Sequence, residues 1–78
     1  EIAAVAFTGK PFIFAVGADL TGARLVEADL VLVDFSGADF TGADVTGADF
    51  DGANLAGVKG FDTVKGLELA RNLDKARR

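Results

Sequence analysis

Residues 36–50 read SGADFTGADVTGADF, in which the unit G-A-D-[FV]-T recurs every five residues. No regular element has that period. An α-helix turns by about 100° per residue, so five residues overshoot a full turn by about 140° and the apolar position precesses around the axis. A flat strand alternates sides with period two, so an odd repeat sends successive Phe side chains to opposite faces. The chain must change direction once per unit.

The repeat runs well beyond this stretch. Residues 18–57 divide without insertion into ADLTG, ARLVE, ADLVL, VDFSG, ADFTG, ADVTG, ADFDG and ANLAG. The first position is Ala in seven units and Val33 in the other, and the third is always Leu, Phe or Val. Position two is polar throughout. Positions one and three therefore share one side and position two faces the other, as in a short strand. Position five is Gly in six of the eight units, which suits the positive φ of a type II turn. Each unit is three extended residues followed by a corner.

If a corner turns the chain by a quarter, four units close a coil and the apolar positions all point inward. Coils then stack at strand spacing, about 4.8 Å, and pair their backbone groups with the coils above and below. This predicts contacts twenty residues apart: Leu20 on Phe40, Leu25 on Val45, Leu30 on Phe50 and Phe35 on Leu55. Outside, Arg24 is expected over Asp44, Asp19 over Asp39, Asp29 over Asp49 and Asp34 over Asn54.

The pattern resembles the pentapeptide-repeat family, whose motif is A-[DN]-L-x-x. The resemblance covers residues 18–57 and implies a right-handed quadrilateral β-helix, an all-β fold. Arg24, Val33, Glu27 and Leu32 depart from the motif. The last two, standing where Gly is usual, are expected to avoid positive φ by using another turn type.

Both ends of a stacked coil expose core and need a cover. Residues 1–17 read as an irregular first coil or N-cap, with Phe7 and Phe12 inward, Pro11 at an edge and Ala15-Val16-Gly17 as three extra residues before the regular frame. After residue 57, Val58 to Phe61 reads as a last distorted unit with Phe61 inward. Beyond it, Leu67, Leu69, Ala70, Leu73 and Ala76 share a face at helical spacing, which predicts a capping α-helix over 63–76, N-capped by Asp62 or Thr63. The cap of residues 58–78 completes a single domain. Glu1 in place of Met suggests a processed product or a piece of a longer chain.

The residue inventory narrows the chemistry. With no Cys and no His, disulfides, the usual zinc sites and the usual nucleophile–base pairs are excluded. The longest apolar runs, Ile2–Phe7 and Phe12–Val16, fall short of the roughly 18 residues that span a bilayer. A soluble protein follows, and the absence of Cys is compatible with the cytoplasm without identifying it. Residues 18–57 carry eight acids against Arg24 alone, a net −7, whereas residues 58–78 carry +3. The acidic block repels nucleic acid and anionic membranes. Its outward residues, Asp19, Asp29, Asp34, Asp39, Asp44 and Asp49, fall on four different sides of a coil. They read as a solvated polar face, with no metal, cofactor or catalytic set. Val26, Val31 and Leu32 place apolar groups at corners that elsewhere hold Thr, Ser, Asp or Gly. With Val33 they form a candidate interface, unless Ile13, Phe14 and Val16 fold over it.

Three functional readings remain. A non-catalytic scaffold or protein-interaction module, with an unidentified protein partner or self-association through the apolar patch or the coil ends, uses nearly every residue to build the wall. A nucleic-acid mimic is implied by the family resemblance, because the best-understood relatives imitate duplex DNA and bind DNA gyrase. Two coils rise only about 10 Å, against roughly 34 Å for one turn of DNA. An enzyme is the poorest fit to the inventory.

Overall fold

The computed structural model describes residues 13–78, all but the side chain of Ile13. The chain winds as a stacked coil whose neighbouring turns pair in parallel. Ile13–Phe14 (β1) pairs with Val33–Asp34 (β2), Ile13 opposite Val33 and Phe14 opposite Asp34. Single bridges continue the ladder at the same separation of twenty residues: Asp19 with Asp39, Arg24 with Asp44, Asp29 with Asp49, Asp34 with Asn54 and Asp39 with Lys59. A five-residue unit and a twenty-residue register give four units per coil. We number residues 18–37, 38–57 and 58–78 as the first, second and third coils. This is a β-helix-type repeat fold, and its first two coils have the register expected from the five-residue frame.

Each bridge is held from both sides. Asp39 N–H donates to the Ala18 carbonyl at 2.9 Å, and Leu20 N–H donates to the Asp39 carbonyl at 2.8 Å. A second bond closes each corner: Ala23 N–H donates back to Leu20 O at 3.0 Å, and Ala43 to Phe40 at 2.9 Å. The backbone is thus satisfied by the coil above, the coil below and the turn itself. Inside, the first- and third-position side chains from Leu20 to Leu55 are buried, with Phe35, Phe40 and Phe50 at 1% exposure or less. Their rings meet edge-on or tilted, with Phe35 and Phe40 centroids 5.0 Å apart at 77° and Phe40 and Phe50 centroids 6.4 Å apart at 54°.

Four expectations need correction. No α-helix spans 63–76. Residues 58–78 form a third coil whose units are six residues long, with three-residue 3-10 helices at Phe61–Thr63, Leu67–Leu69 and Leu73–Lys75. Bridges pair Asp44 with Lys65, Asp49 with Arg71 and Asn54 with Arg77, at separations growing by one residue per side. The physical reason lies in the coil above. The N–H groups of Phe40, Val45, Phe50 and Leu55 need acceptors, and they donate to the carbonyls of Lys59, Lys65, Arg71 and Arg77 at 2.8, 2.9, 2.9 and 2.6 Å. A helix bonds its own carbonyls and could not supply them. Phe61 does turn toward the core, 5.4 Å from Phe40 and 5.9 Å from Phe50 between centroids.

The remaining corrections are local. Neither Asp62 nor Thr63 caps a helix; Gly60, in the left-handed region, precedes the first 3-10 segment without a side-chain cap. Glu27 and Leu32 do not escape positive φ, taking +59° and +64°, because the ladder imposes the same corner on every unit. Residues 13–17 are a regular unit stacked on 33–37, with Ala15 at the inward third position and Ala15 N–H bonded to Asp34 O at 2.8 Å. Phe7, Pro11 and Phe12 lie outside the described residues.

Candidate functional site

The described residues enclose no pocket, so function is sought on the outer wall and the coil ends. They also hold no group of three or more His, Cys, Asp or Glu side chains placed to hold a metal ion. Among the described residues no helix is long and apolar enough to cross a membrane.

The Asp column has a structural duty on this wall. In every regular unit except that of Arg24 the position-two Asp or Asn side-chain oxygen accepts the backbone N–H two residues on, the bond of an Asx turn. Asp19 takes Thr21 N–H at 3.1 Å, Asp29 takes Val31 at 3.2 Å, Asp34 takes Ser36 at 3.0 Å and Asp39 takes Thr41 at 3.0 Å. Asp44 takes Thr46 at 3.1 Å, Asp49 takes Asp51 at 3.1 Å and Asn54 takes Ala56 at 3.0 Å. The hydroxyls of Thr41 and Thr46 add 2.6 Å bonds to Asp39 and Asp44. Charge-stabilising bonds favour the ionised form. The Thr21, Thr41 and Thr46 side chains lead in holding Asp19, Asp39 and Asp44 below the ordinary carboxylate value. The Ser36 backbone leads at Asp34, and the Asn72 amide, 2.8 Å away, leads at Asp49. Seven of the eight units place such an acceptor at the start of the corner; Arg24 offers none, and its corner is still closed by the Ala28 N–H to Leu25 O bond at 3.1 Å.

The acidic residues are spread over four sides and meet only as two stacked pairs, Asp19 with Asp39 and Asp29 with Asp49. Following the bridges, one side carries Phe14, Asp34, Asn54 and Arg77. The next carries Asp19, Asp39 and Lys59, the third Arg24, Asp44 and Lys65, and the fourth Asp29, Asp49 and Arg71. Every column therefore ends in a base. This charge inversion was missed in the sequence, although the signal is plain: Val58-Lys59-Gly60, Val64-Lys65-Gly66, Ala70-Arg71-Asn72 and Ala76-Arg77-Arg78 repeat at six residues. Arg78 closes the last turn with its guanidinium 5.6 Å from the Phe61 ring centroid, a cation–π contact.

The candidate patch is only partly as expected. Val33 is fully buried and belongs to the core, while Val26 and Val31 are half-buried. Leu32 is 46% exposed. Phe14 and Val16 do not fold over it. They stand on the wall in register with Asp34 and Ser36, at 76% and 60% exposure. Leu69, in the third coil, is 58% exposed and was assigned to the helix face from sequence.

The family model for pentapeptide repeats matches residues 18–57 in eight copies. A comparison with curated proteins found no match.

Proposed function

The chain belongs to the pentapeptide-repeat family, and we propose that it is a right-handed, four-sided β-helix acting as a non-catalytic scaffold or protein-interaction module. One observation carries this reading. The position-two carboxylates, the richest chemical resource of the sequence, are individually engaged by neighbouring backbone N–H groups and spread over four sides. Paired carboxylates do acid–base work when two of them flank one substrate bond; the stacked pairs on this wall, Asp19 with Asp39 and Asp29 with Asp49, are each engaged by their own turns, with no pocket among the described residues to hold a substrate.

The alternative, a DNA mimic that binds a topoisomerase such as gyrase, draws support from the net −7 of residues 18–57. Weighing against it is the third coil, where Lys59 and Arg71 terminate acidic columns that a mimic would extend. Gyrase supercoiling, assayed with and without the protein, distinguishes the two. Unchanged supercoiling at high micromolar protein is expected. Inhibition that weakens when Asp39 and Asp49 are replaced by Asn would overturn the scaffold reading.

A further inference from the structure

We propose that the bond between Asp51 and Gly52 is a modification site, at which the chain converts spontaneously to a β-linked isoaspartate when the last side of the third coil opens. The chemistry needs a carboxyl group and an unhindered amide nitrogen on the next residue. The Gly52 nitrogen bonds to Asp51 Cγ, and its proton leaves with the carboxyl hydroxyl as water, closing a succinimide ring. Water then adds at the former main-chain carbonyl, whose bond to the Gly52 nitrogen breaks. The main chain now runs through Asp51 Cβ and Cγ, and the atomic composition is unchanged. Water is the only co-reactant.

Two observations single out Asp51. It is the one Asp followed by Gly; the other eight precede Leu, Phe, Val, Thr or Lys, whose side chains crowd the attacking nitrogen. It also stands at a corner, outside the Asx turns. The carboxylates of Asp19, Asp29, Asp34, Asp39, Asp44 and Asp49 are each drawn to the N–H two residues on, away from the adjacent nitrogen. Among the described residues, Asp51 is bonded through its backbone alone: its N–H donates to Asp49 Oδ1 at 3.1 Å and its carbonyl accepts Leu32 N–H at 2.9 Å.

The third coil acts as the gate. Gly52 N–H donates to Lys75 O at 3.2 Å, whereas the matching corner bonds of the first coil, from Gly22, Glu27, Leu32 and Gly37, measure 2.8, 2.7, 2.9 and 2.9 Å. Lys75 closes the 3-10 segment Leu73–Lys75, no residue of which is buried. Segments with few buried contacts open locally at a lower free energy than global unfolding, and opening here releases the nitrogen. The product then damages the wall. A β-linkage lengthens the main chain by one atom at a corner closed by Ala53 N–H to Phe50 O at 2.9 Å, so Ala53 and Asn54 lose their register under Val33 and Asp34. The site goes beyond the interaction-module reading and does not depend on it.

Prolonged incubation of the folded chain at physiological temperature and pH tests the site, with isoaspartate labelled by an isoaspartyl methyltransferase and located by peptide fragmentation. Isoaspartate is expected at Asp51 and at none of the position-two Asp residues. Asp51→Thr, which restores the Thr-Gly corner seen at Thr21-Gly22, Thr41-Gly42 and Thr46-Gly47, is expected to remove it. Leu73→Ala loosens the gate and is expected to raise the rate several-fold. In the unmodified chain the Gly52 amide is expected to exchange with solvent faster than the Leu32 amide, a comparison that stands even where Leu73→Ala fails to fold. Absence of isoaspartate at Asp51 in the folded chain overturns the proposal. So does Gly52 exchange as slow as that of Leu32, or an unchanged rate in folded Leu73→Ala.

Discussion

The side chain of Leu32 lies over Gly52 in the coil below: a Cβ built on Gly52 would stand 2.6 Å from Leu32 Cδ2. Both residues sit at corners with positive φ, +64° and +71°. The left-handed region disfavours an ordinary L residue by about 1–2 kcal/mol, and the missing Cβ of Gly52 leaves room for the Leu side chain to turn back against the wall. Glu27 makes the same arrangement over Gly47, which is buried. Each non-Gly corner of the first coil is therefore matched by a Gly corner beneath it.

Gly52→Ala is accordingly expected to destabilise more than Gly22→Ala. Both substitutions meet positive φ, but a Cβ at Gly22 has nothing within 4 Å. The backbone term, about 1 kcal/mol, is common to both, and the clash with Leu32 adds about 1–3 kcal/mol. Urea unfolding of the single variants and of Gly52→Ala combined with Leu32→Gly measures the coupling. A coupling energy below about 0.5 kcal/mol would show that Leu32 and Gly52 do not interact.

The third coil makes its own prediction. Lys59, Lys65, Arg71 and Arg77 N–H groups donate to Ala38, Ala43, Ala48 and Ala53 carbonyls at 2.8, 2.8, 2.7 and 2.7 Å. These amides are expected to exchange with solvent as slowly as those of Asp39 and Asp44, and the chain to lack the far-ultraviolet dichroism of an α-helix. Rapid exchange at Lys65 and Arg71 would reject the third coil. Gly60→Ala probes it by mutation. A Cβ there would come within 2.8 Å of Thr41 Cα and 2.9 Å of Thr41 N, both backbone atoms, so its effect is expected to exceed that of Gly22→Ala by more than about 1 kcal/mol.

The contrast between the second and third coils shows what could be read in the sequence. Ala38, Phe40 and Gly42 announce side, interior and corner at a period that fits neither helix nor strand, so the regular coils were legible. Leu67, Leu69, Ala70 and Leu73 obey helical spacing equally well, which competes with the six-residue recurrence of Lys59-Gly60, Lys65-Gly66 and Arg71-Asn72, whose Gly66 and Asn72 take positive φ, +75° and +62°. Tertiary demand decided between them, through N–H groups in the coil above that no local pattern records. Asp39 was legible as outward but not as a turn acceptor, because that bond depends on the corner geometry. Leu32 was legible as an anomaly; its seat over Gly52 needed the register.

Phe50 tests the packing of the core. Its ring is fully buried and lies 6.5, 6.4 and 5.9 Å from those of Phe35, Phe40 and Phe61. Phe50→Ala is expected to destabilise by about 3–5 kcal/mol, with Phe50→Leu much milder because it refills most of the volume. Phe61 is only partly buried at the open end, so Phe61→Ala is expected to fall below Phe50→Ala. Guanidinium unfolding of the three variants gives the order, and a Phe61→Ala loss equal to that of Phe50→Ala would contradict the placement of Phe61 at the end of the stack.

The Asx turns link stability to acid. Asp39 and Asp44 are held below the ordinary carboxylate value of 3.8, first by the Thr41 and Thr46 hydroxyls and then by the backbone N–H groups of the same residues. The unfolded chain lacks these bonds and takes up protons at higher pH than the folded one. Stability therefore rises with pH across the interval between the folded and unfolded values, and is complete above the unfolded value. As pH falls below about 4, the contribution is lost as the folded carboxylates protonate. Thermal midpoints measured from neutral pH downward are expected to stay level and then decline in that acid window. Thr41→Val and Thr46→Val remove the hydroxyl donors but keep the backbone bonds, so the double variant is expected to be less stable at neutral pH and to show a shallower acid decline. An acid slope unchanged by the double variant would assign the pH dependence to other carboxylates.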